Sequence, residues 1–167
     1  MKVILPIIVI VVAIAGFVLF LNTAGPKEQQ AAGDVFDLNF KDYDGNQVSL
    51  SDVQGKPLVV NSWAVWCPFC KKELADFATV QDELGNRVTI IAIDRAESLN
   101  VAKKFTDEKG VTDRLIFWLD LSDSFYKKIG GFSMPETIFI NSDGETVFHK
   151  RGPMDVEEIK EHIQKIL

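Results

Sequence analysis

The chain has 167 residues, of which 47% are hydrophobic and 25% are charged, and its formal net charge is −6 at pH 7. This composition excludes wholesale disorder, and the acidic balance argues against binding to nucleic acid or to anionic lipid through charge. Only two cysteines are present, which is too few for a framework of structural disulfides.

The first feature along the chain is an uncharged apolar run over residues 3–21. A helix of that length extends about 28 Å, close to the hydrocarbon thickness of a bilayer. The run lacks a good cleavage site at its end, so we expect residues 1–21 to be an uncleaved transmembrane anchor rather than a cleaved signal peptide. Lys2 precedes the run and predicts a cytoplasmic N-terminus with the rest of the chain outside. Residues 22–33 predict a flexible linker to a single domain over residues 34–167.

The domain is predicted to begin with a β-hairpin. Residues 35–40 alternate apolar and polar side chains, residues 44–46 are typical of a turn, and residues 48–50 return as a second strand. Leu58–Trp63 is apolar apart from Asn61 and Ser62, which is typical of a strand buried on both faces.

Strands and helices then alternate to the end of the chain. The predicted elements are a helix over 68–84, a strand over 88–93, a helix over 98–109, a strand over 115–119, a short helix over 122–129, strands over 137–140 and 145–149, and a closing helix over 156–167. This alternation predicts an α/β fold, in which a mixed central sheet carries helices on both faces.

The two cysteines form the motif Cys67-Pro68-Phe69-Cys70, between a predicted buried strand and a predicted helix. A cysteine at a helix N-terminus is favoured as a thiolate by unpaired backbone amides and by the helix dipole. Cys67 would therefore be the exposed nucleophile that attacks a disulfide, and Cys70, one turn later, the shielded residue that resolves the mixed disulfide. A CxxC pair in a βαβ setting favours this redox chemistry over a metal site or an inert pair.

Residues 61–73, NSWAVWCPFCKKE, resemble the active-site segment of the thioredoxin superfamily, and they look most like its membrane-anchored TlpA/ResA/CcmG-like branch. The segment from Asp42 to Lys56 is similar to the N-terminal hairpin of that branch, and residues 131–137, GFSMPET, are similar to its proline loop. The resemblance covers about residues 34–152. It implies a thioredoxin-like fold with an N-terminal hairpin extension.

The resemblance also implies roles for particular residues. Met134–Pro135 would be a cis peptide bond beside the cysteines, and residue 134 would pair with an extended client segment. Glu73 would act near the redox pair, although an exposed glutamate in the first helical turn remains an alternative. The residues that would contact a client are Trp66, Pro68, Phe69, Met134, Pro135 and Glu136. His149 and His162 are expected at the surface.

The expected function is that of an extracytoplasmic thiol–disulfide oxidoreductase. We expect a reductase of protein disulfides, for example the CxxCH haem site of apocytochromes c, which receives electrons from a membrane thiol-electron transporter. Two alternatives remain: a disulfide-introducing oxidase on the same fold, and a copper(I)-binding chaperone that uses the two thiolates. No cofactor, metal or nucleic acid partner is expected.

Overall fold

The computed structural model describes residues 33–167. The predicted anchor over residues 1–21 and nearly all of the predicted linker lie outside the described residues. Within the described range, no helix is both long enough and apolar enough to cross a bilayer.

Residues 33–167 contain seven strands and five α-helices. The strands are β1 (Asn39–Asp42), β2 (Gln47–Ser49), β3 (Leu58–Trp63), β4 (Thr89–Arg95), β5 (Ile116–Asp120), β6 (Glu136–Ile140) and β7 (Thr146–Arg151). The helices are α1 (Gly33–Phe36), α2 (Cys70–Leu84), α3 (Leu99–Glu108), α4 (Ser124–Lys128) and α5 (Val156–Gln164). Short 3-10 turns cover Leu50–Val53 and Gly85–Arg87.

The strands form one mixed sheet in the order β2-β1-β5-β4-β3-β6-β7. Strand β3 pairs in parallel with β4 and antiparallel with β6, and all of its residues are buried, as its nearly unbroken apolar sequence predicts. Its alternating side chains enter two cores. Val59 joins the core formed with α2, α3 and α5, whereas Val60 joins the core formed with α1 and α4. The prediction of a mixed sheet covered on both faces is confirmed.

The N-terminal hairpin is present, but its first strand is shorter than predicted. Strand β1 begins at Asn39, pairs antiparallel with β2, and joins the rest of the sheet through β5. Residues 33–36 form a helical turn instead of the start of that strand. Val35 and Phe36 are adjacent and both buried in the core that contains Phe125, a contact that an alternating strand would give to only one of them.

The sheet register brings four loops to one edge. Strands β3, β4 and β5 are parallel, with Trp63 opposite Asp94 and Arg95 opposite Asp120, so the segments that follow all three strands lie at the same edge. Strand β6 runs the other way and begins at this edge, where Glu136 pairs with Ser62. The loop before β6 therefore lies beside the loop that follows β3 and carries the cysteines.

Candidate active site

Cys67 and Cys70 form a disulfide at the junction between β3 and α2. The backbone amide of Cys67 donates to the carbonyl oxygen of Ala64 at 3.1 Å, which closes a turn directly after the strand. Helix α2 begins at Cys70, two residues later than predicted, and the Cys70 amide donates to the Cys67 sulfur at 3.2 Å. The N-cap residue of the helix is Phe69, whose side chain makes no capping hydrogen bond, so the Cys67 sulfur accepts the amide of the first helical residue, which favours negative charge on that sulfur.

The prediction that Cys67 is exposed is wrong for this disulfide form. Its exposed fraction is 1%, that of Cys70 is 0%, and both belong to the core on the α2 face of the sheet. Its sequence neighbours are exposed instead: Trp66 is 61% exposed and Phe69 is 60% exposed. Burial among apolar groups opposes ionisation of a thiol, so it acts against the helix N-terminus.

The loop before β6, residues 130–135, carries the predicted proline. The Met134–Pro135 bond is cis, as the resemblance implied. Met134 is partly buried against the core that contains both cysteines, whereas Phe132 is 87% exposed. The structure therefore places the cysteine loop and the proline loop side by side.

Glu136 lies beneath the proline loop and is completely buried. Its Oε1 accepts hydrogen bonds from the backbone amides of Phe132 at 2.5 Å and Ser133 at 2.6 Å. Its Oε2 lies 2.7 Å from Nε2 of His149, and Nε of Arg151 lies 3.7 Å from Oε1. Glu136 therefore holds the loop from inside the protein, and in this state it is not accessible to a client, contrary to the expectation that it contacts one.

The expectation that both histidines are surface residues is wrong for His162, which is buried, and His149 is half-buried. His149 pairs with the buried Glu136, and its side chain is 23% exposed. His162 is 7% exposed and stacks on Phe148 with ring centroids 3.9 Å apart. Both contacts join residues that are distant in sequence or on different elements, so the local sequence contains no sign of them.

Glu73 lies one turn after Cys70 on α2 and is 1% exposed, so the alternative of an exposed glutamate is wrong. Its Oε1 accepts from the backbone amide of Met154 at 2.9 Å, and its Oε2 accepts from Nδ2 of Asn61 at 3.0 Å. Burial raises the pKa of Glu73 to about 8, despite these two hydrogen bonds, which lower it. The protonated form of the carboxyl group therefore predominates at neutral pH.

A second buried acid, Asp94, is linked to the cysteine loop through Glu97 and was not predicted. Asp94 ends the buried part of β4, and its Oδ1 accepts from the amide of Glu97 at 3.1 Å. Glu97 in turn accepts from the amide of Val65 at 2.8 Å, two residues before Cys67. Burial, followed by a side-chain hydrogen bond with Glu97 and the negative charge of Glu97, raises the pKa of Asp94 to about 8, although the hydrogen bond from the Glu97 backbone amide lowers it. The sequence feature that could have indicated this buried acid is its position at the end of an apolar strand.

Among residues 33–167, no three histidine, cysteine, aspartate or glutamate side chains converge in a way that could hold a metal ion.

Comparison with known proteins agrees with this geometry. A family model described as Redoxin matches residues 30–165. The thiol-disulfide oxidoreductase ResA of Geobacillus thermodenitrificans strain NG80-2 is 26% identical over 164 residues, which cover 96% of this chain and 92% of that protein. ResA of Bacillus cereus strain ATCC 10987 is 25% identical over 162 residues, with the same coverage of both chains.

Solved structures show the same fold. StoA from Bacillus subtilis has a TM-score of 0.64 and 26% identity, over 75% of this chain and 94% of StoA. A structure of MTB dsbF in its mixed oxidized and reduced forms has a TM-score of 0.73 and 22% identity, over 80% of this chain and 98% of dsbF.

Proposed function

Because this chain belongs to the Redoxin family, in the ResA-like part of the thioredoxin superfamily, and is a thiol–disulfide oxidoreductase, we propose that it reduces protein disulfides outside the cytoplasm. Cys67 and Cys70 carry the reaction as a dithiol that becomes a disulfide.

The reaction runs through two exchanges of sulfur partners. The Cys67 thiolate attacks one sulfur of a client disulfide, which forms a Cys67–client mixed disulfide and releases the other client sulfur as a thiolate. Cys70, after losing its proton, attacks the Cys67 sulfur, which forms the Cys67–Cys70 disulfide and releases the second client thiolate. Two electrons pass to the client, and the two client thiolates take up protons. The Cys70 proton passes to the client thiolate released in the first exchange. Glu73 lies one helical turn after Cys70, and its raised pKa leaves a neutral carboxyl at neutral pH, which can donate a proton to a departing thiolate but cannot act as the base for Cys70.

The main support for electron transfer to the client is the burial of both cysteines among apolar residues: Cys67 is 1% exposed and Cys70 is 0% exposed. A strongly oxidising pair needs a stabilised thiolate in its dithiol form. Here Pro68 and Phe69 place no charge between the cysteines, and the neighbouring core is apolar. The dithiol is then less stabilised than in an oxidant, which favours giving electrons away.

One observation favours the alternative of a disulfide-introducing oxidase. The hydrogen bond from the Cys70 amide to the Cys67 sulfur stabilises a thiolate at that sulfur. This one amide stabilises the Cys67 thiolate, whereas burial of both cysteines destabilises it. Burial is the larger effect because it acts on both sulfurs.

The proposed location and partners follow from the sequence. The apolar run over residues 3–21 and Lys2 support a membrane anchor with the domain outside. A membrane thiol-electron transporter would then reduce the Cys67–Cys70 disulfide by the reverse exchange. The CxxCH sites of apocytochromes c are our candidate clients, because Glu136 follows the proline as it does in the cytochrome c maturation thioredoxins that the chain resembles.

The resting redox state in cells tests the proposal. Cells that produce the full chain are quenched in acid, and free thiols are alkylated with a maleimide large enough to shift the protein on a gel. We expect a resting dithiol that becomes a disulfide when the membrane reductant is removed. A resting disulfide that needs an oxidant to form would support the oxidase instead. Protease treatment of spheroplasts tests the location, since an outside domain is digested without lysis.

A further inference from the structure

Arg95 connects the cysteine loop with the helix that precedes the proline loop. Its guanidinium carbon lies 5.9 Å from the ring centroid of Trp66, directly before Cys67, and 3.4 Å from the ring centroid of Tyr126 on α4. Asp123 holds the guanidinium through two hydrogen bonds, from Nε at 2.8 Å and from Nη2 at 2.7 Å. Both charged side chains are mostly buried, with exposed fractions of 16% and 20%.

Tyr126 carries this connection into the proline loop. Its hydroxyl donates to the carbonyl oxygen of Ser133 at 3.0 Å, two residues before Pro135. The ring also fills the space beside Gly131, where an added Cβ would lie 2.4 Å from ring carbon Cε2. The loop thus rests on the tyrosine ring and is bound to its hydroxyl.

Resting on the proposed function, we propose that Arg95 and Tyr126 are positioning residues that fix the distance between the cysteine loop and the proline loop, and so set the affinity for protein clients. The charge of Arg95 is neutralised by Asp123, so its contribution is geometric rather than a general attraction for acidic clients. Planar stacking on an aromatic ring together with a bidentate carboxylate is a geometry that arginine provides and lysine does not.

A client that lies between the two loops must contact groups on both of them. If the two loops can move apart, they must become ordered when a client binds. The free energy of that ordering lowers the affinity for the client. A small disulfide reagent reaches the sulfurs without spanning both loops. Loss of the connection should therefore raise KM for a protein client and leave the chemistry at the sulfurs unchanged.

Two conservative variants test this in the full chain, solubilised in detergent. Tyr126→Phe keeps the ring and removes the bond to Ser133, and Arg95→Lys keeps the charge and removes the stacked, bidentate geometry. The matched controls are Tyr43→Phe, at a partly buried ring stacked on Phe117, and Arg114→Lys, whose guanidinium binds Asp82. The substrates are insulin for protein disulfides and 5,5′-dithiobis(2-nitrobenzoate) for small disulfides.

We expect each test variant to raise KM for insulin about threefold or more, with kcat, the rate with the small disulfide and the reduction potential unchanged. The control variants should match the wild type. Gly131→Ala, which presses on the tyrosine ring from the loop side, should also raise KM, and it provides an independent test if either first variant folds poorly.

An unchanged KM in Tyr126→Phe and Arg95→Lys would overturn the inference, and so would a changed potential, because the residues would then act on the disulfide itself. Failure of the proposed function looks different. If the wild type oxidises reduced insulin but cannot reduce its disulfides, the reducing direction is wrong, and the same KM comparison in the oxidising direction still decides the inference. If the wild type handles neither form of insulin, both are wrong.

Discussion

The backbone amide of Cys70 donates a hydrogen bond to the sulfur of Cys67 at 3.2 Å, and both cysteine side chains are buried. The amide favours a thiolate on Cys67, and the apolar burial opposes it. The balance between these two effects determines which cysteine attacks a client and in which direction electrons move.

The first prediction concerns the order of attack. Cys70→Ala should accumulate a mixed disulfide with clients, because Cys67 retains its activating position and nothing resolves the intermediate. Cys67→Ala should trap none, since the backbone amide that favours a thiolate donates to the Cys67 sulfur and not to the sulfur of the remaining Cys70. Non-reducing gels of cells that express each variant measure the adduct. The reverse pattern of trapping would assign the nucleophile to Cys70.

The second prediction adds a charge between the cysteines. Phe69 is 60% exposed, so Phe69→His can be accommodated without a cavity. A cationic imidazole beside Cys67 stabilises its thiolate and therefore the dithiol form. The reduction potential should rise by about 30 mV or more at pH 6, where the imidazole is charged, and by less at pH 8. Phe69→Leu is the control and should leave the potential near that of the wild type. A lower potential in Phe69→His would contradict the account.

The third prediction is a loss of stability between pH 5 and pH 8. The pKa of Glu73 is raised to about 8 in the folded protein from an ordinary value near 4.5, so the folded state binds the extra proton between these values. The stability gained from that proton is complete below the unfolded pKa and is lost as the pH rises through about 8. Asp94, also raised to about 8, contributes in the same direction.

Urea unfolding of the oxidised protein measures this effect. Each group should lower the free energy of unfolding by up to about 1.4 kcal/mol per pH unit while it titrates. Glu73→Gln should make the decline less steep, whereas the same substitution at Glu83, a half-exposed residue of the same helix, should not. An unchanged slope in Glu73→Gln would show that Glu73 is ionised in the folded state at neutral pH.

The fourth prediction separates Glu136 from the redox chemistry. Glu136→Gln removes the negative charge that faces His149 and Arg151 and weakens the acceptor for two loop amides. Because the site is completely buried, this should cost about 2–4 kcal/mol of stability. The reduction potential should hardly change. Glu158→Gln, at a partly exposed ion pair with Lys150, is the control and should cost much less. A shifted potential with normal stability would place Glu136 in the chemistry.

The elements with strong local patterns were predicted from the sequence. The nearly unbroken apolar run Leu58–Trp63 is the central strand, and the CxxC motif does stand where that strand passes into a helix. The helix over residues 33–36 was missed because Val35 and Phe36 owe their burial to Phe125, about ninety residues away along the chain. Short alternation alone could not distinguish that turn from a strand.

The residues around the site were harder to predict, because long-range contacts define their roles. The sequence does not distinguish Arg95 and Asp123 from ordinary surface charges. The parallel register of β4 and β5 brings together the segments that contain them. The burial of Cys67 is a similar case. The motif places it at a helix end, but the packing of the surrounding loops determines whether its sulfur meets solvent.

The equilibrium reduction potential of the Cys67–Cys70 pair in the full chain tests the central claim most directly. The protein is equilibrated with glutathione or dithiothreitol buffers at pH 7, and the fraction of dithiol is counted by alkylation and mass. A reductase with an apolar, uncharged pair should have a potential more negative than about −220 mV. A value near −120 mV, which is typical of a strong disulfide-introducing oxidase, would contradict the proposed direction of electron flow.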